Sequence, residues 1–330
     1  MRILLTGAGG PASIGVARSL RKHLLVGVDA NENALSFAET DKKYVVPRVD
    51  DSAYLTVLNE IIDTEAIEFV HAQPDPEVHF ISDHRDQIHA RTFLPHPETV
   101  AVCMNKHQTY ETLKRFGVPV PKTRLLRGIY DLDVAVTEFG KPLWVRETVG
   151  AAGKGSIKAS GFQDALYWVE SLHKGWGRFI ASEYLPGRLF TWQSLWKDGV
   201  LLAAQGRERL EWAMSNRAVS GVTGVTGVAV TTNDPRLDEI GADACRAVSM
   251  GRPHGIYGVD MKENIAGVPC VTEINIGRFF TTIEFFTRAG TNFPELYLQA
   301  AFGDVAPAPK LEAGLTWLRS MDCLPILKRA

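Results

Sequence analysis

Residues 258–278, GVDMKENIAGVPCVTEINIGR, predict a β-hairpin that carries the candidate chemistry. GVDMKE is a short, partly apolar strand, residues 264–267 supply the turn, and apolar and polar residues alternate in VPCVTEIN. This pattern places Asp260 opposite Glu273, and alternation along the strand puts Glu273 and Asn275 on the same face. The hairpin therefore predicts two carboxylates and one amide oxygen at one place.

Such an oxygen-rich set suits magnesium that also binds phosphates. Arg278 directly follows the hairpin and is a candidate to bind an anion. The alternative is a solvated hairpin face without a ligand. The hairpin alone does not distinguish a metal site from such a face, so the other segments of the chain are needed.

The composition indicates a globular protein with a substantial core. The chain has 330 residues, is 45% hydrophobic and carries a net charge of −2, which suggests about two domains and argues against a nucleic-acid or membrane surface. Met1 leads into a short apolar run that ends at Gly7, so we expect no signal peptide and a cytoplasmic protein. Its cysteines, including Cys323, form no CxxC motif and are expected to be reduced thiols.

Strands and helices alternate through about the first 95 residues, which predicts a parallel, doubly wound α/β sheet. Ligands of such sheets bind at the carboxyl ends of the strands, where the glycine-rich turn 7–10, Asp29 and residues 73–77 are expected. The predicted strands are RILLT, LLVGVDAN, KYVVPR, IEFVHAQ and the end of TFLPHP, and the predicted helices are residues 14–22, 52–64 and 78–89.

The glycine-rich turn also permits a dinucleotide-binding interpretation. Gly7, Gly9 and Gly15, with Asp29 about twenty residues on, approach the Rossmann pattern without its strict GxGxxG spacing. Tyr110 and Lys114 have the YxxxK spacing of short-chain dehydrogenases, but two exposed residues on one helix face are the simpler interpretation.

A predicted helix over residues 106–116, with Asn105 as its N-cap, marks the end of the first domain. Lys106 in its first turn is placed to reach a phosphate. The strand LWVRE, with Arg146, then leads through a glycine-rich loop to the strand SIKA. A hairpin whose flexible tip carries Lys154 suits a lid over phosphates, and an ordinary hairpin loop is the alternative.

The order of these segments resembles the ATP-grasp superfamily, most of all its carbamoyl-phosphate-synthase-like members. The resemblance covers nearly the whole chain, in TGAGGPASIG, NKHQTYETLKRFGVPVPKT, PLWVRETVGAAGKG, ASEYLPG and VDMKEN…VTEINIGR. It implies a Rossmann-like pre-ATP-grasp domain at residues 1–104, a small subdomain with the glycine-rich lid at 105–182, and a C-terminal subdomain with the magnesium site at 183–330.

The resemblance also implies a role for each matching residue. According to the resemblance, the ATP phosphates contact Lys106, Arg146, Lys154 and Arg278, beside the lid glycines Gly153 and Gly155. The adenine pocket is formed by Glu183, Tyr184 and Leu185. Magnesium is bound by Asp260, Glu273 and Asn275. Arg146, Lys154 and Arg278 are its candidate catalytic residues.

Three positions depart from the family pattern. Leu189 stands where the family often has a ribose-binding acid, Arg146 where it usually has lysine, and INIGR is one residue longer than the frequent INPR, so Arg278 is expected to be displaced. An arginine keeps the positive charge but presents a planar fork instead of a point charge.

The function implied is an ATP- and magnesium-dependent ligase that activates a carboxylate as an acyl phosphate for attack by an amine or ammonia. Its partners would be those small molecules, without nucleic acid or membrane, in a possible homodimer. Arg207, Arg217 and Arg278 are candidates to bind a substrate carboxylate or phosphate. Two alternatives stay open: an NAD(P)-dependent dehydrogenase that uses the glycine-rich turn, and a non-catalytic nucleotide-binding protein.

Overall fold

A computed structural model describes residues 1–319 apart from residues 151, 152, 154, 218 and 304. Two predictions therefore lie outside the described residues, the position of Lys154 and the thiol of Cys323. The side chain of Arg217, a candidate substrate-binding residue, also lies outside the described part of the chain. No helix among the described residues is both long and apolar enough to cross a membrane.

The N-terminal part is the predicted parallel sheet, with strand order β3-β2-β1-β4. Apolar runs bury three of its strands on both faces, as is usual in parallel sheets, whereas the edge strand at residues 42–45 is largely exposed. The strands are β1 (Arg2–Thr6), β2 (Leu24–Asp29), β3 (Lys42–Val45) and β4 (Phe69–His71). The helices of this part are α1 (Pro11–Ser19), α2 (Glu32–Leu35), α3 (Tyr54–Glu65), α4 (Asp75–Asp83), α5 (Pro97–Met104) and α6 (Lys106–Arg115).

Several predicted boundaries in this part were wrong. Helix α1 spans Pro11–Ser19 instead of residues 14–22, because Pro11 fits the first helical turn. Helix α4 begins at Asp75, three residues before the predicted start, because Pro74 and Pro76 fit the first helical turn, and it ends at Asp83. The predicted strand end TFLPHP pairs with the sheet only through one bridge, from Arg91 to Phe69. The N-cap prediction for α6 is confirmed, since the Asn105 side chain accepts hydrogen bonds from the backbone of His107 and Gln108.

A four-stranded antiparallel sheet of order β5-β8-β6-β7 follows. The predicted hairpin of LWVRE and SIKA forms two of its strands, and two helices pack on the sheet around an apolar core. The strands are β5 (Thr123–Leu126), β6 (Leu143–Glu147), β7 (Ser156–Ala159) and β8 (Phe179–Glu183), and the helices are α7 (Ile129–Phe139) and α8 (Phe162–Ser171).

The third sheet has the strand order β13-β12-β9-β10-β11-β14 among the described residues and is antiparallel throughout. Its strands are β9 (Leu189–Lys197), β10 (Val200–Trp212), β11 (Thr226–Thr232), β12 (Gly255–Glu263), β13 (Pro269–Ile276) and β14 (Thr316–Leu318). Its helices are α9 (Pro235–Val248), α10 (Glu284–Arg288) and α11 (Phe293–Phe302).

The first and third sheets share one apolar core, which runs from Leu4 and Val70 to Trp192 and Trp196. Polar contacts fix this junction beside the carboxyl end of β4. The Gln73 side chain donates to the carbonyl of Phe279 at 2.8 Å and accepts from its amide at 3.3 Å. The carboxyl ends of the parallel strands are thereby held against the segment that follows the β12–β13 hairpin.

Candidate active site

The β12–β13 hairpin has the predicted register, with Asp260 opposite Glu273. The pairing shifts directly after Asp260, leaving Thr272 as a bulged residue whose hydroxyl donates to the Asp260 carbonyl at 3.1 Å. The Asn264 side chain accepts hydrogen bonds from two turn amides, at 2.9 and 3.0 Å. A bulge next to a tight turn fixes the direction of neighbouring side chains, so the register and these polar contacts hold the two acidic residues at one place.

Asp260 is held by donors from three other strands. Its Oδ1 accepts from the Thr191 hydroxyl at 2.7 Å and from Arg209 Nη2 at 3.4 Å, and its Oδ2 accepts from Asn275 Nδ2 at 3.1 Å. The Arg209 side chain is 6% exposed, and its guanidinium carbon lies 3.8 Å from the centre of the Trp212 ring. The carboxylate is therefore oriented and its charge is balanced by one neighbouring guanidinium.

Glu273 faces two cations. Its Oε1 lies 3.4 Å from Lys106 Nζ, and its Oε2 lies 3.7 Å from Arg146 Nη1. Burial acts to raise the pKa of this carboxyl, but Lys106, Arg146 and Arg278 outweigh it, so the pKa is below its usual value. Glu273 is therefore an ionised acceptor at neutral pH.

Gly277, the additional residue of INIGR, turns the chain so that Arg278 points towards the first sheet. Gly277 has a φ of +69°, and a Cβ at this position would lie 2.7 Å from Val78 Cγ1, so only glycine fits. Arg278 donates through Nε and Nη2 to Asp75, and through Nη2 to Asn275 Oδ1 at 2.5 Å. Burial acts to lower the pKa of this guanidinium, but Asp75 and Glu273 raise it above its usual value.

Arg146 is buried on β6 and donates through Nη2 to the Tyr110 hydroxyl and to the Thr272 carbonyl. Tyr110 also donates to the Thr272 carbonyl, at 2.7 Å. The interpretation of Tyr110 and Lys114 as two exposed residues was wrong for Tyr110, which is buried, whereas Lys114 is exposed. Tyr110 instead links helix α6 to the bulge of the candidate site.

The lid loop between β6 and β7 lies next to these residues. Lys106 donates to the Gly150 carbonyl, and its backbone amide donates to the Thr148 carbonyl at 2.8 Å. A Cβ on Gly153, which has a φ of +69°, would lie 2.5 Å from the Val222 carbonyl. Gly153 therefore packs against residues 221–227, GVTGVTG, which form a wall of the site and were not among the predicted site residues.

A cavity of about 320 Å³ extends from the hairpin towards β8. It is lined by the candidate adenine residues Glu183, Tyr184 and Leu185 and by Leu189. Glu183 Oε1 accepts from the Lys122 amide at 2.8 Å, which fixes its orientation. The amino groups of two lysines, Lys158 and Lys262, lie 4.3 and 4.8 Å from the centre of the Tyr184 ring.

A second cavity, of about 410 Å³, lies on the other side of Asp260, Glu273 and Arg209, which line both cavities. Its walls include the glycine-rich turn at the start of α1, the residues after β4, and Arg207 on β10. Arg209 was not among the site residues predicted from the sequence. The pairing of β10 with β9 and of β9 with β12 brings it to Asp260.

The protein's own groups fill the space between the glycine-rich turn and Asp29. Asp29 accepts hydrogen bonds from Gly9 N at 3.2 Å and from Asn31 N at 2.9 Å. A Cβ on Gly9 would lie 2.0 Å from the Ala34 carbonyl oxygen, so helix α2 packs directly on the turn. This packing disfavours a dinucleotide between the turn and Asp29.

Comparisons with known proteins identify several that resemble this chain. Residues 3–93 match the family described as "PylC-like, N-terminal domain". The chain is 21% identical over 182 residues to a formate-dependent phosphoribosylglycinamide formyltransferase of Prochlorococcus marinus. The aligned region covers 54% of this chain and 45% of that protein. The chain thus matches about half the length of this curated relative.

Solved structures resemble nearly the whole chain. The biotin carboxylase domain of the Hydrogenobacter thermophilus 2-oxoglutarate carboxylase, solved with MgADP, ADP and bicarbonate, is 14% identical, with a TM-score of 0.74 over 96% of this chain and 73% of that chain. The N5-carboxyaminoimidazole synthetase of Staphylococcus aureus, solved with ADP, is 15% identical, with a TM-score of 0.73 over 94% and 79%.

A third similar structure is the L-amino acid ligase of Bacillus licheniformis, which is 15% identical, with a TM-score of 0.70 over 92% of this chain and 75% of that chain. These proteins share the N-terminal parallel sheet followed by two antiparallel sheets. This chain therefore has the fold of the ATP-grasp superfamily, with an N-terminal part similar to that of PylC-like proteins.

Proposed function

We propose that this protein is an ATP- and magnesium-dependent ligase that activates a carboxylate as an acyl phosphate for attack by an amine or ammonia. The observation that carries the proposal is the grouping of Asp260, Glu273 and Asn275 beside Lys106, Arg146 and Arg278, between two connected cavities. The names of the similar proteins, a carboxylase, a synthetase and an amino acid ligase, support this class of reaction.

The donor atoms of the hairpin fit magnesium that is bound together with phosphates. They are oxygens of two carboxylates and one amide, which a hard cation prefers. No group of three or more acidic, histidine or cysteine side chains in the described part of the chain is placed to hold a metal alone. Asp260, Glu273 and Asn275 would therefore supply part of the coordination and nucleotide phosphates the rest, and the bound ion would neutralise phosphate charge.

The surrounding cations suit a transferring phosphoryl group. Lys106 and Arg146 contact Glu273 from the lid side, and Arg278 approaches from the first sheet. In the proposed role they share their charge between Glu273 and the phosphate oxygens, with Lys154 of the lid as a further cation. Gly153 and Gly155 let the lid backbone approach the phosphates closely.

The reaction needs no side-chain nucleophile. A carboxylate oxygen of the acid attacks the γ-phosphorus, and ADP leaves. The amine nitrogen then attacks the acyl carbon, phosphate leaves with the C–O bond electrons, and the amine loses a proton. The protein's task is to align the groups and exclude water until the amine arrives.

The first cavity is the proposed nucleotide site. In this proposal Glu183 faces the adenine, and the backbone of Tyr184 and Leu185 binds the base edge. Leu189 lines the same cavity and offers no hydrogen bond to a ribose hydroxyl. We place the pre-ATP-grasp domain at residues 1–104 and the two ATP-grasp subdomains at 105–182 and 183–330; the homodimer and the cytoplasmic location stay predictions.

The test is turnover with matched variants. Purified protein is supplied with ATP, magnesium, a panel of acids and hydroxylamine, which converts an acyl phosphate to a hydroxamate. We expect ADP, phosphate and hydroxamate in equal amounts, dependent on one class of acid. Glu273→Gln should abolish this turnover, whereas Glu239→Gln, an exposed acid on α9, should leave it unchanged.

The other two functions give different results in the same experiment. ATP binding without turnover for any acid would favour a non-catalytic nucleotide-binding protein. Binding of NADPH and not of ATP would favour a dehydrogenase, against which the packing of α2 on the glycine-rich turn argues.

A further inference from the structure

Arg207 has an unusual position for a charged side chain. It lies on β10, is 1% exposed and lines the second cavity. Its Nη1 donates to the Thr282 hydroxyl, its guanidinium carbon lies 3.9 Å from the centre of the Phe280 ring, and its buried Nε has no hydrogen-bond partner. A buried charge is costly unless it is paired, so this arginine needs an explanation.

The other charges around the cavity are balanced. Arg278 contacts Asp75, Arg209 contacts Asp260, and Glu273 contacts the lid-side cations. Arg207 forms no ion pair with any side chain that the structure describes. Burial lowers the pKa of Arg207 well below its usual value, and the nearby Arg209 adds to this effect. Among the described residues that line the second cavity, Arg207 is therefore a cation without an ion-pair partner.

The start of helix α1 faces the same cavity. Gly10, Pro11, Ala12 and Ser13 line it together with Arg207. In the first turn of a helix the backbone N–H groups have no acceptor within the helix and favour negative charge. The buried guanidinium of Arg207, whose Nε has no hydrogen-bond partner, and the first turn of α1 thus line the same cavity.

We propose that this cavity binds an acid substrate with a second anionic group, and that Arg207 binds that second group. The inference rests on the proposed function, because it places the carboxylate to be activated beside Asp260, Glu273 and Arg278. Arg207 and Arg209 are two residues apart on one strand and face the same side, so their backbones are roughly 6.6 Å apart. Because Arg209 contacts Asp260, this spacing approximates the distance from Arg207 to a carboxylate held beside Asp260. It therefore suits an acid whose two anionic groups are separated by a short chain.

Binding without ATP tests the proposal separately from the ligase activity. Isothermal titration calorimetry is carried out with glutarate, adipate and 4-phosphonobutanoate, and with pentanoate and hexanoate as monocarboxylates of equal chain length. The proteins are the wild type, Arg207→Gln and Arg246→Gln. Arg246 is an exposed arginine on α9 and serves as the matched control.

We expect at least one dianion to bind the wild type and Arg246→Gln at least tenfold more tightly than the monocarboxylate of the same length. Arg207→Gln should lose this preference, and Arg207→Lys should retain part of it. Tight binding of the phosphonate alone would identify the second group as a phosphate-like one. Equal binding of dianions and monocarboxylates to the wild type, or an unchanged preference in Arg207→Gln, would overturn the proposal.

Binding of Mg·ATP to the same variants separates the two claims. Arg207 does not line the first cavity, so Mg·ATP should raise the melting temperature of Arg207→Gln as it does that of the wild type. Mg·ATP binding without a preference for dianions refutes the inference alone. A preference for dianions without Mg·ATP binding refutes the proposed function.

Discussion

Removing the Glu273 carboxylate should destabilise the protein even without a ligand. Lys106 and Arg146 are each 10% exposed and lie 3.4 and 3.7 Å from its two oxygens. Breaking a buried pair by removing one partner costs about 3–5 kcal/mol. Glu273 is 27% exposed and glutamine keeps one acceptor oxygen, so for Glu273→Gln we expect a loss of roughly 2 kcal/mol in the free energy of unfolding.

Urea unfolding at neutral pH measures this loss, with Glu239→Gln as the control. The midpoint should fall for Glu273→Gln with an unchanged m-value, because the same surface is exposed on unfolding. A loss of less than about 0.5 kcal/mol, typical of surface substitutions, would refute the view that Glu273 balances the two buried cations.

The pH dependence gives an independent check on the same residue. The folded-state pKa of Glu273 is below its unfolded value, so its contribution is present above the unfolded pKa and is lost as pH falls through the folded pKa. The difference in stability between wild type and Glu273→Gln should therefore shrink as the pH is lowered from neutral into the acid range. A difference that stays constant with pH would contradict the argument.

Three further predictions concern the surroundings of the site. Burial raises the pKa of Glu77 from 4.5 to about 7, which corresponds to roughly 3 kcal/mol, so the free energy of unfolding should fall as the pH rises from 4.5 through 7. Glu77→Gln should therefore match the wild type at about pH 4 and exceed its urea midpoint at about pH 8. Gly277→Ala, whose Cβ would meet Val78, should lower the melting temperature and reduce turnover, because it displaces the arginine that follows. Arg146→Lys keeps the charge, but one ammonium cannot face Glu273 as Nη1 does and also donate to Tyr110 and the Thr272 carbonyl as Nη2 does, so its KM for ATP should rise about tenfold in steady-state assays.

The sequence predicted the hairpin well because its signals are local. Turn residues and strand alternation place Asp260 opposite Glu273, and the structure has this pairing. The parallel sheet was predicted for the same reason, since its buried strands alternate with helices of regular period. Gly277 was recognised as an additional residue, but its effect, turning Arg278 towards Asp75, depends on a contact with Val78 from a distant helix.

The parts that sequence reasoning missed depend on long-range pairing. Arg209 reaches Asp260 only because β9 lies between their strands, and no local pattern identifies that order. Tyr110 has a helix-surface spacing, yet it is buried because β13 packs against α6. The position of the GVTGVTG segment as a wall of the site depends on Gly153, a residue distant in sequence that packs on Val222.

Magnesium-dependent ATP binding tests the central claim most directly. Calorimetric titration of ATP should give binding to the wild type that weakens at least tenfold when magnesium is removed. In Glu273→Gln this magnesium dependence should be largely lost, whereas Glu239→Gln should retain it. ATP binding to the wild type that is indifferent to magnesium, or an unchanged dependence in Glu273→Gln, would contradict the assignment of the β12–β13 hairpin as the site of phosphoryl transfer.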